Sequence, residues 1–307
     1  MIARTGIYAA FSIIILVFFA SGVSLAADNC TFTRLARLPI TTTLFGADTV
    51  PMKIGGRAVS MVIDTGGSVP VLNAATTKLL GLTVHDYNKR IWNIAGGQYF
   101  DRFAVAEDVE LGNMKSDRME FAIADSLPFG VDGALPPTIL RNYDVELDFA
   151  NGLFSLYSQN HCPGVFAHWT DGEYARVQFD IDSYGQIFIP VTLDGKDIKA
   201  LVHTAYVQSV LALQEVQREF DIDEHSPGVQ RLPRSPGHIQ YYRYPFKSLT
   251  FQGITVNNPD IFLVSRRDAD TYRAERTLIL GLNVLRRLHL YIAYRERVMY
   301  LTPATAH

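Results

Sequence analysis

Asp64-Thr65-Gly66 is the tripeptide in this sequence whose residue types most directly suggest chemistry. It follows Val59–Ile63, which is apolar except for Ser60. It precedes Gly67-Ser68 and then Val69-Pro70-Val71-Leu72. A buried strand therefore ends in a carboxylate on a glycine turn, with a second apolar strand beyond it. Such a carboxylate sits where water is partly excluded, its proton affinity is perturbed, and general acid–base work becomes accessible. The tripeptide alone is common. Its strand-bounded setting and a second copy of the same frame carry the inference.

That second copy aligns without a gap. Pro51 meets Pro190, Ile54 meets Leu193, Gly56 meets Gly195, Arg57 meets Lys196, and Val62-Ile63 meets Leu201-Val202. Asp64 meets His203 and Thr65 meets Thr204. Further on, Phe121-Ala122-Ile123 corresponds to Phe262-Leu263-Val264, and Leu140-Arg141 to Leu285-Arg286. Val145-Glu146-Leu147 corresponds to Leu290-Tyr291-Ile292. Each copy closes with a hairpin, turning at Ala150-Asn151-Gly152 and Arg295-Glu296-Arg297. Ordered correspondences of this kind mark an internal repeat. They predict two β domains, near 40–158 and 172–303, joined by a polar, turn-rich connection at 159–171. Each domain is expected to hold one short helix before its closing hairpin, supplied in the second by Thr277 to Arg287.

Composition agrees with a folded, β-rich chain: 307 residues, 48% hydrophobic, 19% charged. The net charge of −3 gives no sign of nucleic acid as a partner. The N-terminus reads as a leader. Arg4 precedes an apolar stretch from Ile7 to Ala20, and Ser24, Ala26 and Ala27 offer small residues for cleavage. Residues 1–27 are a signal peptide or, if retained, an N-terminal anchor, which is the one route to a membrane. Export to the periplasm or beyond follows. In that setting the two cysteines, Cys30 and Cys162, suggest one intramolecular disulfide, with two free thiols as the alternative. No zinc-ligand spacing occurs among the eight histidines, and no cofactor motif is evident. Asp144, Glu146 and Asp148 alternate on a strand and are expected to face solvent on one side.

Val62-Ile63-Asp64-Thr65-Gly66-Gly67-Ser68, the later Asp132-Gly133-Ala134-Leu135, and Leu278-Ile279-Leu280-Gly281 in the second half resemble the retropepsin-like and pepsin-like aspartic proteases. The resemblance implies an all-β fold with short helices: two tandem retropepsin-like acid-protease β-barrel domains related by a pseudo-dyad, the second copy degenerate. It implies a peptide or protein substrate held as an extended strand between the domains, under a hairpin flap. The flap candidates are Trp92, the turn glycines Gly96 and Gly97, and Tyr99. Arg231 to Tyr244 is a candidate for the second flap, a recognition rim or an ordinary loop. Pro136-Pro137 departs from the family, which usually has Gly after Leu135.

Aspartic proteolysis uses two carboxylates that share a proton, and this sequence supplies one, with Asp64, Thr65 and Gly66 as the catalytic motif. His203-Thr204 stands at the partner position. Three arrangements follow. Two chains could bring their Asp64 loops together as a homodimer. The repeats could pair within one chain, leaving Asp64 opposite His203 and the usual route lost. Asp64 and His203 could carry a different hydrolytic arrangement. Retention of Thr204 favours pairing within the chain, because the resemblance gives this Thr a hydrogen bond across the dyad. The functions expected are an aspartic-type endopeptidase using Asp64 or, alternatively, an inactive pseudoprotease that binds extended peptides. A β-rich envelope or scaffolding domain is a third class.

Overall fold

The structure is a computed structural model that describes residues 31–92, 99–161, 168–233, 239–265 and 277–305. The leader, Cys30 and Cys162 lie outside the described residues, as do Gly96 and Gly97.

In the first half the strands are β1 (Arg34–Pro39), β2 (Thr41–Thr42), β3 (Asp48–Ile54), β4 (Arg57–Ile63), β5 (Val71–Asn73), β6 (Val84–Trp92), β7 (Tyr99–Leu111), β8 (Met114–Ala124), β9 (Gly133–Leu135), β10 (Asp144–Asp148) and β11 (Leu153–Tyr157). In the second they are β12 (Ala175–Gln178), β13 (Asp180–Ile181), β14 (Ile187–Leu193), β15 (Lys196–Val202), β16 (Ser209–Ala212), β17 (Gln230–Arg231), β18 (Tyr241–Arg243), β19 (Ser248–Phe251), β20 (Ile254–Asn257), β21 (Ile261–Val264), β22 (Leu278–Leu280), β23 (Leu288–Ala293) and β24 (Val298–Pro303). Among the described residues four short α-helices accompany them: α1 (Ala74–Leu79), α2 (Pro137–Leu140), α3 (Leu213–Phe220) and α4 (Leu282–Leu285).

The fold is all-β, two tandem barrel domains. The first sheet runs β2-β3-β4-β9-β5-β8-β7-β6, and β3 also pairs with β7, which curls the sheet towards closure. The second runs β17-β18-β21-β16-β22-β15-β14-β19-β20. In both, the strand that leads into the candidate site pairs in parallel with a short strand from late in its own domain: Ile63 with Leu135, and Val202 with Leu280. The paired ends of these strands, Met61–Ile63 and Ala200–Val202, are buried apolar runs because parallel strands at a sheet centre are covered on both faces. A third sheet, β1-β11-β10-β23-β24-β12, joins the halves. At its middle β10 and β23 pair antiparallel, Leu147 opposite Leu290, one strand from each domain.

Local sequence explains the punctuation. Asn73 caps α1 by accepting the Thr76 N–H at 2.6 Å. Pro137 opens α2, where its missing N–H is harmless, so the Pro136-Pro137 departure starts a helix. The helix expected over Thr277 to Arg287 is shorter. Leu278–Leu280 forms β22 and the helix covers only Leu282–Leu285. A short apolar run suits a buried strand as well as a helix, and periodicity does not separate them.

A larger correction concerns Asp144, Glu146 and Asp148. They do share one face of β10, but that face is not open to solvent: their exposures are 1%, 6% and 9%. Phe32, His161, His168 and Trp169, from the segments flanking the sheet, fold over it.

Candidate active site

Two loops meet at the pseudo-dyad. Asp64 leaves β4 with its N–H on Leu135 O at 3.0 Å, and His203 leaves β15 with its N–H on Leu280 O at 3.0 Å. The next residues grip each other. Thr65 N–H donates to Thr204 Oγ1 and Thr204 N–H to Thr65 Oγ1, both at 3.1 Å. Each hydroxyl then donates across the dyad, Thr65 Oγ1 to Val202 O at 2.7 Å and Thr204 Oγ1 to Ile63 O at 2.5 Å. All four partners are buried, so each bond satisfies a group that water cannot reach.

This grip forms within one chain. The Asp64 loop is already paired with the His203 loop of the same chain, so the dyad position that another chain's Asp64 would occupy is filled. Asp64 faces an imidazole: His203 Nδ1 lies 3.3 Å from Asp64 Oδ1. That contact is close enough for charge interaction but is not formed as a hydrogen bond, and neither ring nitrogen has a hydrogen-bond partner among the described residues. The carboxylate accepts the Gly66 N–H at 3.1 Å. Only glycine fits there, because a Cβ on residue 66 would stand 2.4 Å from the His203 ring.

Access to the two groups differs. The Asp64 side chain keeps 12% of its surface exposed and that of His203 2%. Burial pushes the Asp64 carboxyl up to about 7, against the pull of the Gly66 and Gly67 N–H groups. Burial alone pushes the His203 imidazole down to about 3. Both shifts disfavour the charged form, as desolvation does. Between these values the carboxyl holds its proton and the imidazole is neutral.

Residues that the sequence did not single out complete the surroundings. The Gln186 amide donates to Gly66 O and, at 3.3 Å, to Gly67 O, which ties the second domain to the Asp64 loop. Gln186 follows a hairpin tip that is duplicated: Gly46 (φ +87°) and Gly185 (φ +85°) occupy matching turns, closed by Gly46 N–H to Thr43 O and Gly185 N–H to Asp182 O. Each tip is held by an arginine of the opposite domain. Arg286 donates to Gly46 O at 2.8 Å and to both oxygens of buried Asp48, and Arg141 reaches Ser183 O at 3.4 Å. The pairing of Arg141 with Arg286 in the repeat was the available sequence signal. The tips expose Leu44, Phe45 and Tyr184 to solvent. Tyr294 is buried, its phenol lacks a hydrogen-bond partner among the described residues, and burial together with the Asp64 charge pushes its ionisation up.

Trp92 and Tyr99 are backbone partners at the end of the β6–β7 hairpin. Their side chains lie outside the described residues, together with the turn that carries Gly96 and Gly97, so the flap contacts expected of these four residues fall there. Gln230–Arg231 and Tyr241–Arg243 form the matching hairpin in the second domain. A hollow of about 730 Å³ lined by Phe179, Phe188, Lys199 and Glu296 does not include Asp64 or His203. Among the described residues no group of three or more His, Cys, Asp or Glu could hold a metal ion.

Residues 50–142 match the family model for aspartyl proteases. The matched span runs from β3 through α2 and contains Asp64, Thr65 and Gly66, which supports an aspartic protease family assignment for the first domain. No curated protein matches the chain.

Proposed function

We propose that the protein is an aspartic-type endopeptidase in which Asp64 is the catalytic carboxylate and His203 of the same chain replaces the second one. The observation that carries this reading is the Asp64–His203 contact inside a reciprocal Thr65–Thr204 grip. A dicarboxylate pair at its working pH holds one proton. Between about pH 3 and about 7 the Asp64–His203 pair also holds one. As a water attacks the scissile carbonyl carbon, its proton passes to the unprotonated nitrogen of His203 and the Asp64 proton passes to the carbonyl oxygen. The tetrahedral diol then collapses. The imidazolium gives its proton to the leaving amine, and the Asp64 carboxylate takes one back from a diol hydroxyl. The substrate is a peptide or protein in extended form, flanked by the apolar tips at Phe45 and Tyr184.

The second reading is a pseudoprotease that binds extended peptides without cutting them. It is favoured by the near-complete burial of His203, which leaves a water little access to the base. In both readings the chain is exported, with Cys30 and Cys162 joined in a disulfide and residues 1–27 acting as leader.

Full-length protein assayed on a peptide library beside Asp64→Ala separates the two readings. Cleavage by the parent and none by the variant supports the peptidase. Binding of the same peptides by both, with cleavage by neither, supports the module. Cleavage that survives in Asp64→Ala removes Asp64 from the reaction.

A further inference from the structure

The two loops of the site differ beyond the acid and the base. Asp64-Thr65-Gly66-Gly67 aligns with His203-Thr204-Ala205-Tyr206, so a tyrosine stands in the second copy where the first has glycine. At position 67 there is no room for a side chain, because a Cβ would stand 2.3 Å from Asp64 Oδ2. Position 206 carries one. The Tyr206 ring lies against the His203 ring, centroids 4.4 Å apart and planes 58° apart. Access follows the residue. Asp64, beside a glycine, keeps 12% of its side chain exposed, and His203, beside a tyrosine, keeps 2%.

We propose that Tyr206 is the gating residue of the Asp64–His203 pair, a cover whose ring closes the imidazole to water and so limits how often the pair reacts. Its effect on cleavage rests on the peptidase reading; the cover itself does not. In that reading the base takes a proton from a water, which must come within hydrogen-bond reach of an imidazole nitrogen. The ring is bordered by Asp64 Oδ1, 3.3 Å from Nδ1. It is bordered too by Gly66, packed so close that a Cβ would stand 2.4 Å from the ring. The first is the reaction partner and the second is backbone. Tyr206 is the neighbour that a change of rotamer, or a substitution, takes away.

The backbone at Tyr206 is pinned. Its N–H donates to His203 O at 3.2 Å, and its carbonyl accepts the Leu282 N–H at 2.7 Å. Gly281 fits beside that carbonyl only without a side chain, since a Cβ would stand 2.8 Å from Tyr206 O. Opening is therefore a movement of the side chain and not of the loop. The side chain is half-buried against the cluster of Val210, Ala212, Val264 and Ile279, so part of it already faces solvent. Neither His203 nitrogen has a hydrogen-bond partner among the described residues. A water that reaches one therefore pairs a buried polar group, which favours the opened state.

The reactivity of His203 tests the cover. Full-length protein, Tyr206→Ala and Tyr206→Phe would be treated with diethylpyrocarbonate at about pH 6.5, where it modifies neutral, exposed imidazoles. Peptide mass spectrometry locates each modified histidine. His289, 5% exposed in the joining sheet, is the internal standard for a loosened fold. In Tyr206→Ala, His203 should react roughly tenfold faster than in the parent while His289 stays protected. Tyr206→Phe keeps the ring and should keep the parent rate. An unchanged His203 rate in Tyr206→Ala would overturn the proposal. So would His203 and His289 rising together, or Tyr206→Phe opening the site as widely as Tyr206→Ala. Cleavage of a peptide library is the second readout. With His203 opened, kcat should rise in Tyr206→Ala, and a kcat unchanged or lowered would overturn the gating role. If parent and variant both leave every peptide intact although His203 opens, the cover stands and the peptidase reading fails.

Discussion

At the residue scale the account rests on two buried groups whose proton affinities move in opposite directions. Asp64, raised to about 7, binds a proton in the folded state that its unfolded form has lost above the ordinary carboxylate range. Its contribution to stability is present at low pH and disappears as pH rises through about 7. His203, lowered to about 3, stays neutral in the folded state while its unfolded form is protonated below about 6.5. Its contribution therefore disappears as pH falls towards 3. Between about pH 4 and 6.5 the two slopes cancel. Denaturant unfolding at pH 4, 5 and 6 checks this. Asp64→Asn should leave the His203 slope exposed, with stability rising by up to about 1.4 kcal/mol per pH unit. A flat profile in that variant would contradict the assignment. A complementary prediction concerns activity. His203→Asp restores two carboxylates, and peptide cleavage should rise and shift to more acid pH. An unchanged optimum would mean that residue 203 takes no part.

At the scale of elements, the reciprocal threonine grip is what fixes one loop against the other. Thr204→Val removes a hydroxyl that both donates to Ile63 O and accepts the Thr65 N–H. Two buried groups then lose partners, so urea unfolding should show a loss of about 2–4 kcal/mol. Thr204→Ser should recover most of it. Much of this was legible beforehand. The ungapped alignment of Pro51–Gly67 with Pro190–Tyr206 set strand, turn and loop in both domains, and it put His203 at the position that matches Asp64, with three arrangements of the two left open. The failures have physical causes. Leu278–Leu280 is a strand because β15 and β16 leave a slot between them, which no local pattern shows. Asp144, Glu146 and Asp148 alternate as an exposed face would, because period-2 spacing says which residues share a side and not whether a further layer covers that side. The covering layer comes from Phe32, His161, His168 and Trp169, distant in sequence from β10 or separated from it by a turn. Gln186 was illegible because its partners are backbone carbonyls in the other domain.

At the scale of the whole molecule, the domains are held by the joining sheet, by the threonine grip and by the pair between Arg286 and Asp48. Asp48 is 1% exposed and also accepts from Thr42 Oγ1 at 2.6 Å. Removing the arginine strands a buried carboxylate, so Arg286→Ala should destabilise by about 3–5 kcal/mol. Because the pair spans domains, its calorimetric transition should broaden or split. Arg57→Ala, on an exposed contact to Leu79 O, should leave the melting profile nearly unchanged. An active pair complete within one chain also makes activity first order in protein. The most direct measurement is therefore kcat/KM on a cleaved peptide, followed from pH 2.5 to 8 at protein concentrations a hundredfold apart. The account predicts one bell-shaped profile with limbs near 3 and 7, the same at both concentrations and absent in Asp64→Asn. A kcat/KM that rises with protein concentration, or a profile that survives in Asp64→Asn, would contradict it.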